Sequence, residues 1–179
     1  MPTYKAPTRE YGFLLHELLD LSRFSNLPGF AEATPDLLDQ IMEQAAKFTE
    51  EVLQPLNKVG DEQGCTLKDG EVTTPDGFAD AYKQLVDGGW PALVCDPDYG
   101  GQGLPNTIGV LFNEMVSSAN MAFGMYPGLS HGAYSALIHH GSDEQKDMYL
   151  PKLVSGEWTG TMNLTEPQCG TDLGMVRTK

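Results

Sequence analysis

The titratable residues of this chain lack the spacing of a metal centre or of an acid–base pair. His131, His139 and His140 have no carboxylate or cysteine at ligand spacing beside them. Adjacent histidines at a helix end are instead explained by their favourable interaction with the helix dipole. The Asp and Glu residues form no isolated pair suited to proton transfer. We therefore expect no metal site in this sequence.

A polar loop near the C-terminus is the most informative segment, residues 164–172 (LTEPQCGTD). Directly before it, residues 158–165 alternate between two faces. One face carries Thr159, Thr161, Asn163 and Thr165, and the other carries Trp158, Gly160, Met162 and Leu164. A period of two is typical of a half-buried strand. The pattern predicts a strand that runs into a Pro/Gly loop, and a plain strand-to-strand turn remains the alternative interpretation of that loop.

Three segments resemble the acyl-CoA dehydrogenase family of flavoproteins. The loop at 164–172 resembles the family's T-E-P-x-x-G-(S/T)-D signature, and residues 96–105 (DPDYGGQGLP) resemble its glycine-rich Y-G-G-x-G turn. Residues 141–157 (GSDEQKDMYLPKLVSGE) are similar to its G-(S/T)-x-x-Q-K segment with the following L-P and G-E. The segments keep the family's order and spacing over roughly residues 35–179. Tyr4, Ala6, Pro7 and Arg9 also resemble the extension of a larger subgroup that includes methylmercaptopropionyl-CoA dehydrogenase.

The resemblance implies FAD as the cofactor and assigns it residues of the loop. Met162 and Leu164 would lie against the flavin ring, and Thr165 would offer its backbone N–H and hydroxyl to the ring's polar edge. Gly170 and Thr171 would approach the pyrophosphate. These residue types suit the task, because a fused ring needs apolar contacts and a few fixed hydrogen bonds. Glycine lets main-chain N–H groups come close to a phosphate.

The resemblance also implies a site for the acyl chain of an acyl-CoA substrate. Residues 125–131 (MYPGLSH) are similar to the part of the helical domain that lines the acyl tail in the family. There Gly128 would leave room for a chain, Met125 and Leu129 would wall it, and Thr171 is assigned to substrate as well. Met and Leu at helical spacing also occur in an ordinary core, so both interpretations remain open.

Composition excludes several classes of partner. The net charge is -14, from 25 acidic and 11 basic residues, and no basic cluster exists that could bind nucleic acid or an anionic membrane. The sequence has no 18-residue apolar run and no signal-peptide pattern. Its three cysteines lack C-x-x-C spacing, which favours a reducing compartment. We expect a cytoplasmic protein without membrane insertion. The phosphates of FAD and coenzyme A would be bound by backbone N–H groups or by cations outside this chain.

Apolar residues recur with helical period up to about residue 156. Leu14, Leu18 and Leu21 predict a short amphipathic stretch. Thr34-Pro35-Asp36 predicts the start of a helix, which Pro55 should kink or end and which Gly60 should end at the latest. Its apolar stripe consists of Leu38, Ile41, Ala45, Phe48 and Val52.

Four further helices are predicted, each with its own boundary signals. Thr74-Pro75-Asp76 begins one that stops at Gly88-Gly89. Another spans residues 107–120, and the next spans about 129–140 and stops at Gly141. Ser142 begins the last helix with Gln145 as its capping-box partner, and Pro151 keeps it short.

The sequence thus predicts a mainly α protein. We expect an N-terminal extension over 1–30, an antiparallel helical domain of the acyl-CoA dehydrogenase type over 31–156, and the first strand of a truncated middle β-domain over 157–179. The resemblance implies α,β-dehydrogenation of an acyl-CoA, with electron-transfer flavoprotein as the acceptor and a homodimer or homotetramer as the assembly. The catalytic carboxylate is expected beyond Lys179, so no catalytic residue is assigned here. The alternatives are an acyl-CoA oxidase of the same fold and a non-catalytic helical assembly module.

Overall fold

Helices make up most of the chain in a computed structural model that describes residues 3–178. The outermost residues of the predicted extension (1–2) and of the predicted β segment (179) lie outside the described residues. In chain order the helices are α1 (Thr8–Gly12), α2 (Pro35–Lys47), α3 (Gln54–Gln63), α4 (Phe78–Asp87), α5 (Asn106–His140) and α6 (Asp143–Val154). The two strands are β1 (Thr66–Lys68) and β2 (Glu71–Thr73). The mainly α fold class is confirmed.

One hydrophobic core joins α2, α4 and α5. The predicted stripe of α2 faces it, with Leu38, Ala45 and Phe48 buried and Ile41 and Val52 half-buried at its edge. Helix α5 packs against α2, α3 and α6 and so forms the centre of the molecule. A smaller core of buried residues lies between α5, α6 and the glycine-rich turn: Cys95, Tyr134, Leu150 and Val154.

The N-terminal segment packs onto the helical domain. Lys5 forms an ion pair with Glu50, whose carboxylate also accepts a 2.9 Å hydrogen bond from the backbone N–H of Ala6. Tyr11 and Leu15 are buried in the main core, whereas Leu18 of the predicted stripe is 62% exposed. The π-helical turn Phe13–Leu18 explains the difference, because its wider spacing shifts which side chains face inward.

The prediction that the second helix ends by Gly60 at the latest is wrong. A π-helical turn, Phe48–Leu53, follows α2, and α3 then continues to Gln63. Pro55 lies in the first turn of α3, directly after the π-helical turn, and does not end the helical run. Gly60 lies inside α3 and leaves room for the ring of Phe78, which would be 2.8 Å from a Cβ there.

Two further boundaries differ from the prediction. Helix α4 begins at Phe78 rather than at Pro75, because Gly77 has φ 82° and Asp76 is held by hydrogen bonds to Gln63. Helix α5 breaks at Asn120, as predicted, but its second half resumes at once instead of near residue 129. Pro127 lies inside this second half, where it removes one backbone hydrogen bond without ending the helix.

The hairpin of β1 and β2 was not predicted. Asp69 and Gly70 connect its strands with φ values of 53° and 85°, the geometry of a two-residue type I′ turn. The Asp-Gly pair was the available sequence signal. The strands are only three residues long and exposed, and each carries a single apolar residue, Leu67 or Val72, which is too short a pattern to have revealed them.

The capping box of α6 is confirmed, whereas the strand after it is not. The Gln145 side chain accepts a 2.9 Å hydrogen bond from the N–H of Ser142, and the N–H of Gln145 donates to the Ser142 hydroxyl at 3.3 Å. Residues 159–165 run without regular secondary structure, and only Glu166 and Cys169 form an isolated antiparallel bridge. A strand needs a neighbour to bond its backbone, and no other segment within residues 3–178 pairs with this one.

Candidate functional site

A cavity of about 480 Å³ opens between the two halves of α5 and the segment that follows α4. Met125, Gly128 and Leu129 all line it. On the opposite side Trp90 stacks on Phe112, with ring centroids 4.4 Å apart and an interplanar angle of 7°. Phe48 also stacks with Trp90, with ring centroids 6.4 Å apart. The cavity therefore has an aromatic floor, formed by Trp90 and Phe112, and a largely apolar wall around Met125, Gly128 and Leu129.

The lining of this cavity suits an apolar, uncharged guest. Among the described residues that line it there is no Asp, Glu, Lys or Arg, and His131 is the single ionisable side chain. Burial lowers the pKa of His131, which favours the neutral imidazole, and the His131 ring stacks with Tyr134 at 5.9 Å between ring centroids. A Cβ built on Gly128 would meet no protein atom within 4 Å, so glycine leaves open space there.

The predicted cofactor loop folds back on itself at Glu166. Its N–H donates to the carbonyl of Cys169 at 2.9 Å, and the N–H of Cys169 donates back at 3.0 Å. The Glu166 carboxylate then accepts hydrogen bonds from the N–H of Arg177, the N–H and hydroxyl of Thr178, and the amide of Gln168. These donors, the Thr178 hydroxyl first, lower the pKa of Glu166 to about 2. The ionised carboxylate of Glu166 thus holds the two ends of segment 166–178 together as a closed loop.

The predicted cofactor residues are exposed on the outer surface of this loop. Met162 is 66% and Leu164 45% exposed, and Thr165, Gly170 and Thr171 are exposed as well. The backbone of Gly170 does not lie in the left-handed region, and a Cβ there would come no closer than 3.7 Å to Thr165 Cγ2. Neither conformation nor packing within residues 3–178 therefore requires glycine at this position.

Three contacts attach the loop's base to the helices that form the cavity. The Tyr82 hydroxyl donates to the carbonyl of Gly156 at 3.1 Å, and the Tyr126 hydroxyl donates to Thr159 Oγ1 at 3.2 Å. The N–H of Gly160 donates to the Ser130 hydroxyl at 3.2 Å. Tyr126 and Ser130 belong to the same half of α5 as Met125, Gly128 and Leu129, so this half-helix both walls the cavity and holds the loop.

The structure brings together only part of the predicted set. Met125, Gly128 and Leu129 share one cavity, whereas Thr171 lies on the exposed loop outside it. The stack of Trp90 on Phe112 could not be predicted, because a contact between residues of two separate elements leaves no local pattern. His139 and His140 occupy the last turn of α5, as expected for side chains that interact with the helix dipole.

Comparisons with known proteins agree with this architecture. Residues 35–157 match the family model described as acyl-CoA dehydrogenase, N-terminal domain. Over 175 aligned residues the chain is 43% identical to 3-methylmercaptopropionyl-CoA dehydrogenase of Ruegeria pomeroyi. The aligned region covers 98% of this chain and 30% of the relative. It is 33% identical to a butyryl-CoA dehydrogenase of Syntrophomonas wolfei over 98% of this chain and 29% of the relative. Isovaleryl-CoA dehydrogenase of Bos taurus is 33% identical over 78% of this chain and 31% of the relative.

The chain belongs to the acyl-CoA dehydrogenase family, as its motifs had predicted. It spans about three tenths of the length of these curated relatives. Within residues 3–178, no helix combines the length and the apolar character needed to cross a membrane.

Proposed function

We propose that this chain supplies the acyl-binding helices and one cofactor-contacting loop of an FAD-dependent acyl-CoA dehydrogenase, which removes hydrogen from the α and β carbons of an acyl-CoA thioester. The observation that carries the proposal is the open, uncharged cavity with Met125, Gly128 and Leu129 in its wall. Its volume falls within the range of small-molecule sites, about 300–1,000 Å³.

The cavity fits the acyl part of the substrate. Each methylene group moved from water into such a lining contributes about 0.8 kcal/mol, so a hydrocarbon tail gains affinity with every carbon that the cavity covers. Trp90 and Phe112 contribute apolar ring atoms to the lining, and a Cβ on Gly128 would meet open space. The neutral form of His131 avoids placing a charge beside the tail.

The loop fits the cofactor. Exposed Met162 and Leu164 offer apolar contact to a fused ring, and Thr165 adds a hydroxyl at its edge. Glycine at 170 is explained by close approach of a phosphate, because nothing within residues 3–178 requires it. The backbone N–H groups of Gly170 and Thr171 donate to no acceptor within the same residues, so they are available to the pyrophosphate. FAD, when bound, would accept the hydride from the substrate's β carbon.

The role of this chain in the proposed reaction is to bind and to orient. The cavity would hold the tail while the half-helix 121–140 keeps the loop, and with it the flavin, at a fixed distance. Such fixed geometry lowers the entropic part of the barrier to transfer. The carboxylate that takes the α proton is assigned outside this chain, because the described lining of the cavity offers none.

The proposal also covers the electron acceptor, the assembly, the location and the substrate class of the enzyme. Electron-transfer flavoprotein is the proposed acceptor, and a homodimer or homotetramer is the proposed assembly. A cytoplasmic location is supported by the three free thiols, Cys65, Cys95 and Cys169. The names of the relatives span butyryl, isovaleryl and methylmercaptopropionyl groups, so the proposed substrate class is acyl-CoA thioesters.

Anaerobic reduction of the flavin tests the proposal. The experiment uses a protein of the relatives' length that contains this chain, called below the full-length protein. Butyryl-, octanoyl- and palmitoyl-CoA are mixed with it separately, and loss of the visible band of oxidised flavin is followed with time. We expect at least one thioester to reduce the flavin within the mixing experiment. A protein that binds FAD and is reduced by none of a broad set of acyl-CoA thioesters would overturn the proposed reaction.

A further inference from the structure

Asn120 occupies the point where α5 changes direction. Its backbone has φ -157° and ψ 88°, which interrupts the helix, and its side chain is buried with 1% of its surface exposed. The Oδ1 atom accepts a 3.0 Å hydrogen bond from the N–H of Phe123. A side-chain acceptor three residues before such an N–H is the geometry of a helix N-cap, so Asn120 begins the second half of α5.

The amide nitrogen of the Asn120 side chain bonds to a different element, the π-helical turn Phe48–Leu53. This Nδ2 atom donates to the carbonyl of Leu53 at 3.1 Å. A π-helical turn changes the backbone bonding register, so some of its buried carbonyls depend on side-chain donors. The Thr49 hydroxyl donates to the carbonyls of Ala45 and Ala46 in the last turn of α2, directly before the π-helical turn, and Asn120 donates to the carbonyl of Leu53 at its end.

Asn120 joins the second half of α5, which lines the cavity, to the π-helical turn Phe48–Leu53, which lies outside the lining but contacts the aromatic floor. The π-helical turn supports the floor, because Phe48 stacks on Trp90. The first half of α5 contributes Gly109 and Phe112, and the second half contributes the wall around Met125 and Gly128. The break at Asn120 lies between these halves, so the angle at which they meet sets the width of the cavity.

We infer that Asn120 is a positioning residue that determines which acyl chains the cavity accepts. Its cap on Phe123 fixes where the wall begins, and its bond to Leu53 fixes that wall relative to the aromatic floor. The inference rests on the proposed function, since it concerns the selectivity of the same cavity. Asn120 itself is not among the residues that line the cavity, so it acts through the elements that it joins.

Two variants separate the two hydrogen bonds. Asn120→Ser keeps a short acceptor that suits an N-cap and loses the reach to Leu53, whereas Asn120→Ala removes both bonds. Each is measured in the full-length protein as kcat/KM for butyryl-, octanoyl- and palmitoyl-CoA. The ratio between thioesters does not depend on the amount of folded enzyme. A loss of stability alone therefore leaves the ratio unchanged.

Two control variants are used, one that repeats the Asn-to-Ala substitution elsewhere and one that lowers stability without touching the cavity. Asn57→Ala makes the same change at an exposed position of α3, and Leu150→Ala removes buried volume from the smaller core, outside the cavity lining. We expect Asn57→Ala to change neither Tm nor the ratio of kcat/KM between thioesters. Leu150→Ala should lower Tm and keep the same ratio as the parent.

The expected result is a flattened selectivity profile. One methylene group that the cavity no longer covers corresponds to about fourfold in kcat/KM. We therefore expect the ratio of kcat/KM between the best and the worst measurable thioester to fall about fivefold or more in Asn120→Ala. In Asn120→Ser the same ratio should fall by a smaller factor. If the parent is active and both Asn120 variants keep its ratio of kcat/KM between thioesters, the inference is overturned and the proposed function stands. A parent that no acyl-CoA reduces would overturn the proposed function, and the inference with it.

Discussion

Gly160 and Ser130 connect the segment that leads into the proposed cofactor loop to the wall of the cavity. The N–H of Gly160 donates to the Ser130 hydroxyl at 3.2 Å, and the two backbones lie so close that a Cβ on Gly160 would be 2.7 Å from the carbonyl oxygen of Leu129. Leu129 is itself part of the cavity lining. The place where the loop attaches and the place where the acyl tail would bind are therefore neighbouring residues of one helix.

Gly160→Ala should separate the loop from this helix. The added Cβ would also be 2.7 Å from the Cβ of Ala133, and because Leu129 offers a backbone atom the contact cannot be relieved by a rotamer change. We expect a loss of about 1–3 kcal/mol in stability and a lower flavin content in the full-length protein. Thermal unfolding and the flavin-to-protein absorbance ratio measure the two effects.

Gly132→Ala is the matched control for this prediction. It makes the same substitution in the same half of α5, but a Cβ there meets nothing within 4 Å. Replacing an exposed helical glycine stabilises by about 0.5–1 kcal/mol, so Tm should rise slightly while flavin content stays constant. Equal flavin loss in both variants would contradict the role assigned to the Gly160–Ser130 contact.

Gly128→Leu should shorten the acyl chain that the cavity accepts. The position is open, so the leucine side chain can extend into the cavity without displacing protein atoms. Each methylene that the substrate can no longer bury costs about 0.8 kcal/mol, or about fourfold in kcat/KM. We expect palmitoyl-CoA turnover to fall relative to butyryl-CoA turnover.

Gly132→Leu tests whether that effect belongs to the cavity. Gly132 is also open but does not line the cavity, so the same leucine should leave the selectivity ratio unchanged. A parent-like ratio in Gly128→Leu would assign Met125, Gly128 and Leu129 to a surface groove without a role in substrate binding.

Local signals predicted the helices better than their boundaries. The Ser142–Gln145 box lies within four residues, and it appears in the structure as the sequence indicated. The continuation of α3 past Gly60 depends on a π-helical turn and on the Phe78 ring, both of which become visible only after the chain has packed. The predicted strand at 158–165 failed for a related reason, since strand formation depends on a partner segment rather than on alternation alone.

The candidate site shows the same limit. Gly128 and its neighbours could be proposed from the sequence because they lie in one continuous segment that resembles the family. Trp90 and Phe112 were missed, because their stacking joins elements whose approach the sequence does not encode locally. The role of Asn120 was hidden as well, since a polar residue in an apolar run predicts a helix end but not its long-range bond to Leu53.

Thr165→Val should alter the flavin without altering the fold. The substitution keeps the shape of the side chain and removes one hydroxyl from an exposed position. Loss of one hydrogen bond to the flavin's edge corresponds to on the order of 1 kcal/mol. The flavin reduction potential or the rate of flavin reduction should change, while Thr66→Val in the hairpin should change neither. Identical potential, rate and FAD affinity in parent and Thr165→Val would show that the side chain does not touch the ring.

The loop closed by Glu166 should loosen in acid. Hydrogen bonds lower the pKa of Glu166 from 4.5 to about 2, so the closed loop favours the ionised carboxylate. The stabilisation is complete above the unfolded-state pKa and is lost as the pH falls from about 4.5 through about 2. Hydrogen exchange at the N–H groups of Arg177 and Thr178 should quicken across this range relative to helical amides. Glu166→Gln should show fast exchange already at neutral pH, and slow exchange in that variant would contradict the role of the carboxylate.

Gly170→Val distinguishes a cofactor loop from a structural turn. The backbone of Gly170 is not left-handed, and its nearest side-chain neighbour would be 3.7 Å from a new Cβ, so the chain itself accepts a side chain there. If the pyrophosphate of FAD lies against this backbone, valine blocks its approach. We expect the full-length variant to lose flavin while far-UV helicity and Tm remain close to those of the parent, because the helices pack without this loop. Normal flavin occupancy in Gly170→Val would leave residues 164–172 as a structural turn and would remove the assignment of Gly170 and Thr171 to the cofactor.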